Sequence, residues 1–379
     1  MAGKQRRSNG EGTIYRRKDG RYEVAVFVTT PDGRRVRKRA YGRTREQAHA
    51  RYVELLDKAR RGVPVADRTW KVGEYLDYWL EHVAPQAFRP ATRALYETMT
   101  RLYLKPGLGK QRLERLTVAN VQSFFNSRLR AGDSVRKVQV MRTALSSALT
   151  RATREELVTR NVARLTTLPE DTRKEVHPWS VEEARLFLAS TRESPLHVGF
   201  VLLLFLGMRR GEVLGLRWHD VDSDAGELRI RQQLQRIDGQ LVQGPVKSRA
   251  ARRTLPLFGV VEEAVTEQSR RQAELRQAAG ERWHETGLVL TTRTGRPVEP
   301  RNFYRDFQLA CDRTRIRRVP VHAMRHTCAS LLKSLNVPPR DAMSILGHSR
   351  ISVTLEVYTH ADAAAQRAAL TRISDALSG

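Results

Sequence analysis

Cysteine is nearly absent from this chain of 379 residues. The two present, Cys311 and Cys328, lack the paired spacing of a zinc site and are too few for a disulfide framework. They suit small buried thiols in a reducing compartment. Long apolar runs are missing too. The longest, Val198 to Met208, is too short to span a bilayer, and the N-terminus is basic and polar with no apolar stretch behind it. Neither a membrane span nor a signal peptide is expected, and the expected location is the cytoplasm. Acidic side chains are in deficit: 41 Asp and Glu stand against 68 Lys and Arg, a net charge of +27. Lysine is a small minority of the bases. Arginine meets phosphate through a planar fork of donors, so the surplus predicts a polyanionic partner, most simply nucleic acid, although part of the arginine bias also fits a GC-rich genome. No strongly basic amphipathic helix with an aromatic apolar face argues for a membrane surface instead. Internal repeats and low-complexity tracts are also lacking.

What is present is enough apolar residue, 40%, to build two or three separate cores. Residues 1–10 are basic and polar and are expected to be disordered. From Gly12 to Gly42 three short strands are separated by Asp19-Gly20 and Asp32-Gly33, both tight-hairpin signals. Thr44-Arg45-Glu46-Gln47 then opens a helix to about Arg61 in a capping-box pattern, with Ala48, Tyr52, Leu55 and Ala59 as its apolar stripe. On the third strand Arg35, Arg37 and Arg39 alternate and share a face. That arrangement suits a sheet laid against a DNA groove, and equally a solvated edge strand protected by charge. Residues 1–70 hold 19 basic and 8 acidic side chains, 19 − 8 = 11 in surplus, which favours DNA.

From Thr69 to Leu165 only helical signals occur: Val72, Tyr75, Leu76, Trp79 and Leu80; Leu95, Met99 and Leu102; Val121, Phe124, Phe125 and Leu129; Val138, Met141, Leu145 and Leu149. A compact domain of four or five helices is expected. The polar, proline-bracketed stretch 166–178 reads as a linker. Beyond Trp179, helices alternate with one short sheet formed by Glu227–Gln235, an Asp238-Gly239 turn, Leu241–Val246 and Arg252–Leu257. The expected fold is therefore multidomain: a small three-stranded sheet plus helix over 1–65, an all-α domain over 69–165, a linker over 166–178, and a mixed, mainly helical domain with a small antiparallel sheet over 179–379.

Candidate chemistry lies in the last of these. Arg209 emerges where the chain leaves an apolar helix, and Glu212, three residues on, shares its face. Lys247 is one of few lysines among many arginines, and a lysine can surrender a proton where an arginine cannot. His322 and Arg325 are placed by helical spacing on one polar surface, with Met324, Cys328, Leu331 and Leu335 on the buried face. His322 and His326 stand four apart, as in zinc-binding helices, but Ala323 occupies the place where that motif needs a glutamate, so no metal is expected. His348 follows Gly347, a helix stop after Pro339 to Leu346. Between Ile351 and Tyr358 the apolar residues fit a strand by alternation and a helix by face. A tyrosine hydroxyl, with a pKa of about 10, needs cationic neighbours and a proton acceptor before it acts as a nucleophile.

Arg209 with Glu212, Lys247 in a hairpin turn, His322 and Arg325 as HxxR, Leu346 to His348 as LGH, and Tyr358 ten residues later resemble, in that order, the tyrosine recombinase (phage integrase) family. The resemblance extends over nearly the whole chain and shows no departure at these positions. It implies an arm-type DNA-binding domain, a core-binding domain and a catalytic domain in succession, with the tyrosine on a helix. It implies that Tyr358 attacks a scissile phosphate to give a 3′-phosphotyrosyl link and a free 5′-hydroxyl, with neither metal nor other cofactor. Arg209, Arg325 and His348 would bind the phosphate, Lys247 would protonate the leaving oxygen, and His322 would exchange protons with Tyr358. The implied partners are double-stranded attachment sites, three further copies of the chain in a synaptic tetramer, and accessory excision or DNA-bending proteins. The apolar stripe Leu370, Ile373 and Leu377 would dock on a neighbouring protomer or pack on its own domain. A type IB topoisomerase and a non-catalytic DNA-binding regulator are the competing readings.

Overall fold

The structure is a computed structural model that describes residues 14–29, 35–60, 70–171, 177–358 and 371, with the backbone alone at 28–29, 35–36, 54, 58–60 and 356–358. It divides into two compact units, Met1–Thr172 and Arg173–Gly379.

The first unit opens with an antiparallel sheet of β1 (Tyr15–Arg16), β2 (Tyr22–Thr29) and β3 (Arg35–Gly42). Gly20, at φ +79°, lets the first turn close, with the Gly20 amide donating to the Arg17 carbonyl at 3.1 Å. The second expected turn, Asp32-Gly33, lies outside the described residues, as do residues 1–13 and the side chain of Ala59. Between β2 and β3 the register runs unbroken from Tyr22↔Gly42 to Thr29↔Arg35. Helix α1 (Arg45–Arg60) begins at Thr44, whose hydroxyl accepts from the Gln47 amide at 3.2 Å. Its residues Ala48 and Tyr52 bury Val24 and Val26, so the helix covers one face of the sheet. Phe27↔Arg37 and Ala25↔Arg39 are paired on the opposite face, where the side chains of Phe27, Arg37 and Arg39 are exposed.

The helical part of this unit has a detail that sequence periodicity hides. Helix α2 (Val72–Tyr78) widens into a π turn over Trp79–Val83 before α3 (Ala84–Ala87), and α4 (Pro90–Met99) does the same over Thr100–Leu104 before α5 (Lys105–Leu108). Each π turn ends two residues before a proline, Pro85 or Pro106. A proline ring crowds the carbonyl four residues back, and the wider turn relieves that clash. Five residues then separate successive core positions: Trp79 to Ala84, and Met99 to Leu104, all buried. This corrects the stripe Leu95, Met99, Leu102. Leu95 and Leu102 are exposed, and Tyr96 and Leu104 take the inward places. Helices α6 (Val118–Arg130) and α7 (Val135–Arg154) keep normal period, with Val121, Phe125, Val138, Met141, Leu145 and Leu149 buried as expected. At the start of the expected linker, Thr167 exchanges two 2.9 Å hydrogen bonds with the Gln122 amide, and Arg142 donates to the Thr166 carbonyl at 3.2 Å.

The second unit is built round α9 (His197–Phe205), in which all seven residues from Val198 to Leu204 are buried, the mark of a helix enclosed on every side. Helices α8 (Val181–Ser190) and α10 (Arg210–Leu214) flank it in sequence. The single expected sheet is in fact two. Strands β4 (Val221–Asp222), β5 (Glu227–Ile230) and β8 (Arg253–Pro256) form one, and β6 (Gln232–Ile237) and β7 (Gln240–Pro245) form the other. Inward alternation runs through the break at Arg231, since Leu228, Ile230 and Leu234 are all buried, so periodicity gave no sign that the strand changes partner. Helices α11 (Gly259–Ala279), α12 (Pro300–Arg313), α13 (His322–Ser334), α14 (Pro339–Leu346) and α15 (Ile351–Tyr358) complete the unit. The segment Ile351–Tyr358, open between strand and helix by pattern, is a helix. Leu335, expected on the buried face of α13, caps its C-terminus and is 73% exposed. Among the described residues no helix is long and apolar enough to cross a membrane.

Candidate active site

Arg209 sits at the N-terminal cap of α10 because the chain reverses at Gly207, in the left-handed region at φ +55°. A Cβ there would lie 2.4 Å from Leu346 Cδ2 and 3.2 Å from Cys328 Sγ, so glycine permits the end of α9 to press against α13 and α14. The Arg209 amide donates to Glu212 Oε2 at 3.0 Å and its Nη1 to Glu212 Oε1 at 2.7 Å. Glu212 is only 2% exposed, which separates this pair from an ordinary surface ion pair.

A residue that the motif reading missed completes the arrangement. Arg253, on β8, donates from both Nη1 and Nη2 to Glu212 Oε2 at 3.2 Å, from Nε to the Ile345 carbonyl at 2.7 Å, and from Nη1 to the Ala251 carbonyl at 3.1 Å. Its side chain is 6% exposed. The signal available in the sequence was an arginine on the inward register of a short strand, with Leu255 two residues on. Burial alone would raise the Glu212 pKa, but Arg253 and Arg209 outweigh it and hold the carboxyl below its ordinary range.

Arg325 is 3% exposed and stands in the first turns of α13, inward of the shared polar surface expected for it. Its Nη1 donates to the Gly207 carbonyl, and its Nη2 is buried with no hydrogen-bond partner among the described residues. Burial first, then Arg209 and Arg253, depress its pKa to about 9. A guanidinium keeps its proton under such pressure, so the depression expresses positive charge left unneutralised. Among the described side chains, Glu212 is thus the one carboxylate of a three-arginine cluster, and it pairs with Arg209 and Arg253.

The two expected histidines complete the rim. Gly347 caps α14 at φ +64°, and its carbonyl accepts from Arg209 Nη2 at 3.2 Å, which brings the LGH motif to the arginine cluster. His348 follows half-buried, its Nδ1 2.9 Å from Oγ1 of the fully buried Thr354 on α15. Burial, then Arg325 and Arg209, depress its pKa to about 4. His322 opens α13, its ring edge-on to His326 with centroids 5.1 Å apart. Its pKa also falls to about 4, through loss of water around the ring, then through His326, Arg325 and Arg209. Both imidazoles are neutral at pH 7. Among the described residues no group of three or more His, Cys, Asp or Glu is arranged to hold a metal.

Lys247 lies in the expected connection between β7 and β8, but those strands pair with β6 and β5 and not with each other, so the connection is no hairpin turn; Lys247 is exposed in the bend that follows β7, ahead of the short turn Arg249–Ala251. That turn reaches the cluster through the Ala250 carbonyl, close beneath Gly347, but Lys247 itself makes no described contact there. Tyr358 is the last residue of α15, four residues after Thr354; its side chain lies outside the described atoms. Arg37 and Arg39 belong to the first unit, and the Arg35 side chain is likewise outside the described atoms.

A surplus of buried arginine round a donor without a described partner defines a class: proteins whose site is built to receive an anion such as a phosphate. Comparison with known proteins identifies the family. The phage integrase family matches residues 181–365, and the phage integrase N-terminal SAM-like domain matches residues 71–129. A XerC-like tyrosine recombinase of Caldanaerobacter subterraneus subsp. tengcongensis is 27% identical over 359 residues, covering 89% of this chain and 92% of that protein. In shape, the chain resembles the Tn1549 transposon integrase in complex with a circular intermediate DNA, at TM-score 0.69 and 19% identity, over 80% of this chain and 100% of that one. It also resembles lambda integrase, solved as a tetramer bound to a Holliday junction, at TM-score 0.56 and 18% identity, over 91% of this chain and 94% of that one. The chain belongs to the phage integrase family of tyrosine recombinases, and is an enzyme of site-specific DNA strand breakage and rejoining.

Proposed function

We propose that this recombinase integrates and excises a mobile DNA element, and that the buried cluster of the second unit is its cleavage site. The observation that carries this reading is Arg325 Nη2, a charged donor buried beside Arg209 without a partner among the described residues, in a cluster whose described side chains include one carboxylate for three guanidinium groups. A phosphodiester supplies the missing acceptor. Its non-bridging oxygens gain negative charge as a fifth oxygen approaches, and donors already fixed in place favour that state most. Arg209 and Arg325 hold those oxygens. His348, neutral and oriented by Thr354, adds a third donor. Tyr358 is the nucleophile and leaves a 3′-phosphotyrosyl bond, the 5′-oxygen departing with a proton from Lys247. His322, neutral at working pH, takes the phenolic proton and returns it when a 5′-hydroxyl reverses the step. Lys247 can do this only if its loop folds over bound DNA.

The same reading assigns 69–165 to contacts at the core site, 179–379 to catalysis and 166–178 to the connection between them. It assigns 1–65 to a second, arm-type DNA sequence, with Arg35, Arg37 and Arg39 on the contacting strand. Double-stranded attachment sites, a homotetramer in synapsis and accessory bending or excision proteins are its partners, and the cytoplasm is its place of action. The test is covalent capture in EDTA on a library of nicked duplexes. Wild type should yield denaturation-resistant adducts enriched for one sequence, and Tyr358→Phe none. Adducts spread evenly over the library would point to a topoisomerase, and their absence would leave a binding protein.

A further inference from the structure

Arg253 has no role of its own in that account, yet it makes four charge-assisted hydrogen bonds, as many as Glu212 receives. Its four hydrogen bonds go to two destinations. One is Glu212, which through its other oxygen receives Arg209 Nη1. The other is backbone carbonyls of two separate segments: Ala251, just before β8, and Ile345, in the last turn of α14. Gly347 lies directly against the same guanidinium. A Cβ at 347 would stand 2.9 Å from Arg253 Nη1 and 3.0 Å from the Ala250 carbonyl. Arg209 Nη2 in turn donates to the Gly347 carbonyl at 3.2 Å. The contacts therefore close a ring, Arg253 to Glu212 to Arg209 to Gly347 and back, and His348 is the next residue along the chain.

We propose that Arg253 is a positioning residue for strand cleavage, which sets Arg209 through Glu212 and His348 through the C-terminal turn of α14 without touching the phosphate itself. Its side chain points away from solvent and all its described donors are engaged within the protein, so it has nothing to offer DNA. A lysine in its place keeps the buried charge but has a single nitrogen, which cannot reach Glu212 and the Ile345 carbonyl in the same planar fork. The ring would then be held at one point, and Arg209 and the LGH turn would move independently. A purely structural arginine would affect melting and leave the chemistry alone.

This inference rests on the proposed cleavage reaction. The experiment uses the full chain and a nicked attachment-site duplex, recovered by the capture described above. Single-turnover formation of the phosphotyrosyl adduct is measured at saturating protein for wild type, Arg253→Lys, Glu212→Gln and the double variant, with melting temperature and duplex affinity alongside. Arg253→Lys should fold and bind DNA within about twofold of wild type while forming adduct at least tenfold more slowly. The double variant should be no slower than the slower single, because both act along one path. Arg253→Met serves as a second variant, slower still, and its rate is read only at a temperature where its melting curve shows it folded. Adduct formation by Arg253→Lys within about threefold of wild type at equal occupancy overturns the proposal. Strictly multiplicative effects in the double variant overturn the route through Glu212. Absence of an adduct from wild type defeats the cleavage reading and this inference with it. A wild-type adduct with an unaffected lysine variant defeats the inference alone.

Discussion

Two glutamates, one in each unit, are both 2% exposed and both paired with arginine, and they differ in how deeply those arginines lie. Glu23 on β2 takes Arg17 at 2.9 Å and Arg39 at 3.4 Å, and a bond from the Tyr15 hydroxyl lowers its pKa first of all. Its cover is thin, consisting of those same partners on a three-stranded sheet, and the two arginines stay open to water. Glu212 takes Arg209 and Arg253 inside a packed domain, with Arg325 buried close by. Charge surplus that faces solvent can attract DNA, but salt screens it and the side chains move. The same surplus, held dry and fixed, costs folding energy until a phosphate arrives, and it meets the transition state already in place. The depth of the cation, more than the number of ion pairs, separates a surface for affinity from one suited to catalysis.

The largest effect that would sharpen this contrast is on stability. Removing Glu212 as Glu212→Ala leaves three buried or half-buried guanidinium groups uncompensated and should cost about 3 to 5 kcal/mol in denaturant unfolding. Glu23→Ala should barely move the midpoint of the same titration. Equal losses from the two would erase the distinction. Next in size, Arg325→Ala should slow adduct formation about 10²- to 10³-fold, as expected when one fixed donor to the transition state is lost, while duplex affinity changes far less. A matching fall in affinity would make Arg325 a binding residue like those of the sheet. Thr354→Val removes the partner of His348 Nδ1 and should slow cleavage by up to about tenfold, the worth of one buried hydrogen bond, as read by single-turnover capture. On the other side, the double change Arg37→Ala with Arg39→Ala should leave cleavage of core-only duplexes unaltered and should reduce the slope of log affinity against log salt on arm-type DNA by about 1.8.

Smallest of all is a pH effect. Folding holds the His348 pKa near 4, below the ordinary 6.5. The unfolded chain therefore binds the proton more readily, so the histidine's favourable contribution is complete above pH 6.5 and is lost as pH falls towards 4. In His348→Asn the melting temperature should decline less steeply over that window. An unchanged slope would mean that His348 is better hydrated than its neighbours imply.

Much of the site was legible because its residues are spaced by local rules. Arg209 and Glu212 are three apart at a helix start, His322 and Arg325 three apart on one helix, and Gly347 ends another. Long-range pairing was the part that could not be read. Arg253 meets Glu212 across 41 residues, and its only local mark is an inward register on a short strand, which does not name its partner. The connection holding Lys247 was expected to be a hairpin turn because the strand alternation continued through Arg231 and concealed the division into two sheets. In the helical part, the step from Met99 to Leu102 assumed a constant turn of 3.6 residues, and the wide turn before Pro106 made that assumption fail, moving the inward place to Leu104.

Those two wide turns have a consequence for comparing this chain with its relatives. A π turn is in effect one surplus residue absorbed into a helix whose two ends stay in phase with the core. A relative without a proline at the place of Pro85 or Pro106 can drop one residue from 79–83 or 100–104 and return to ordinary α-helix, with Ala84 or Leu104 still turned inward. Single-residue gaps within those two helices are therefore compatible with an unchanged bundle, and an alignment that forbids gaps in helices would misplace every residue from there to the next loop.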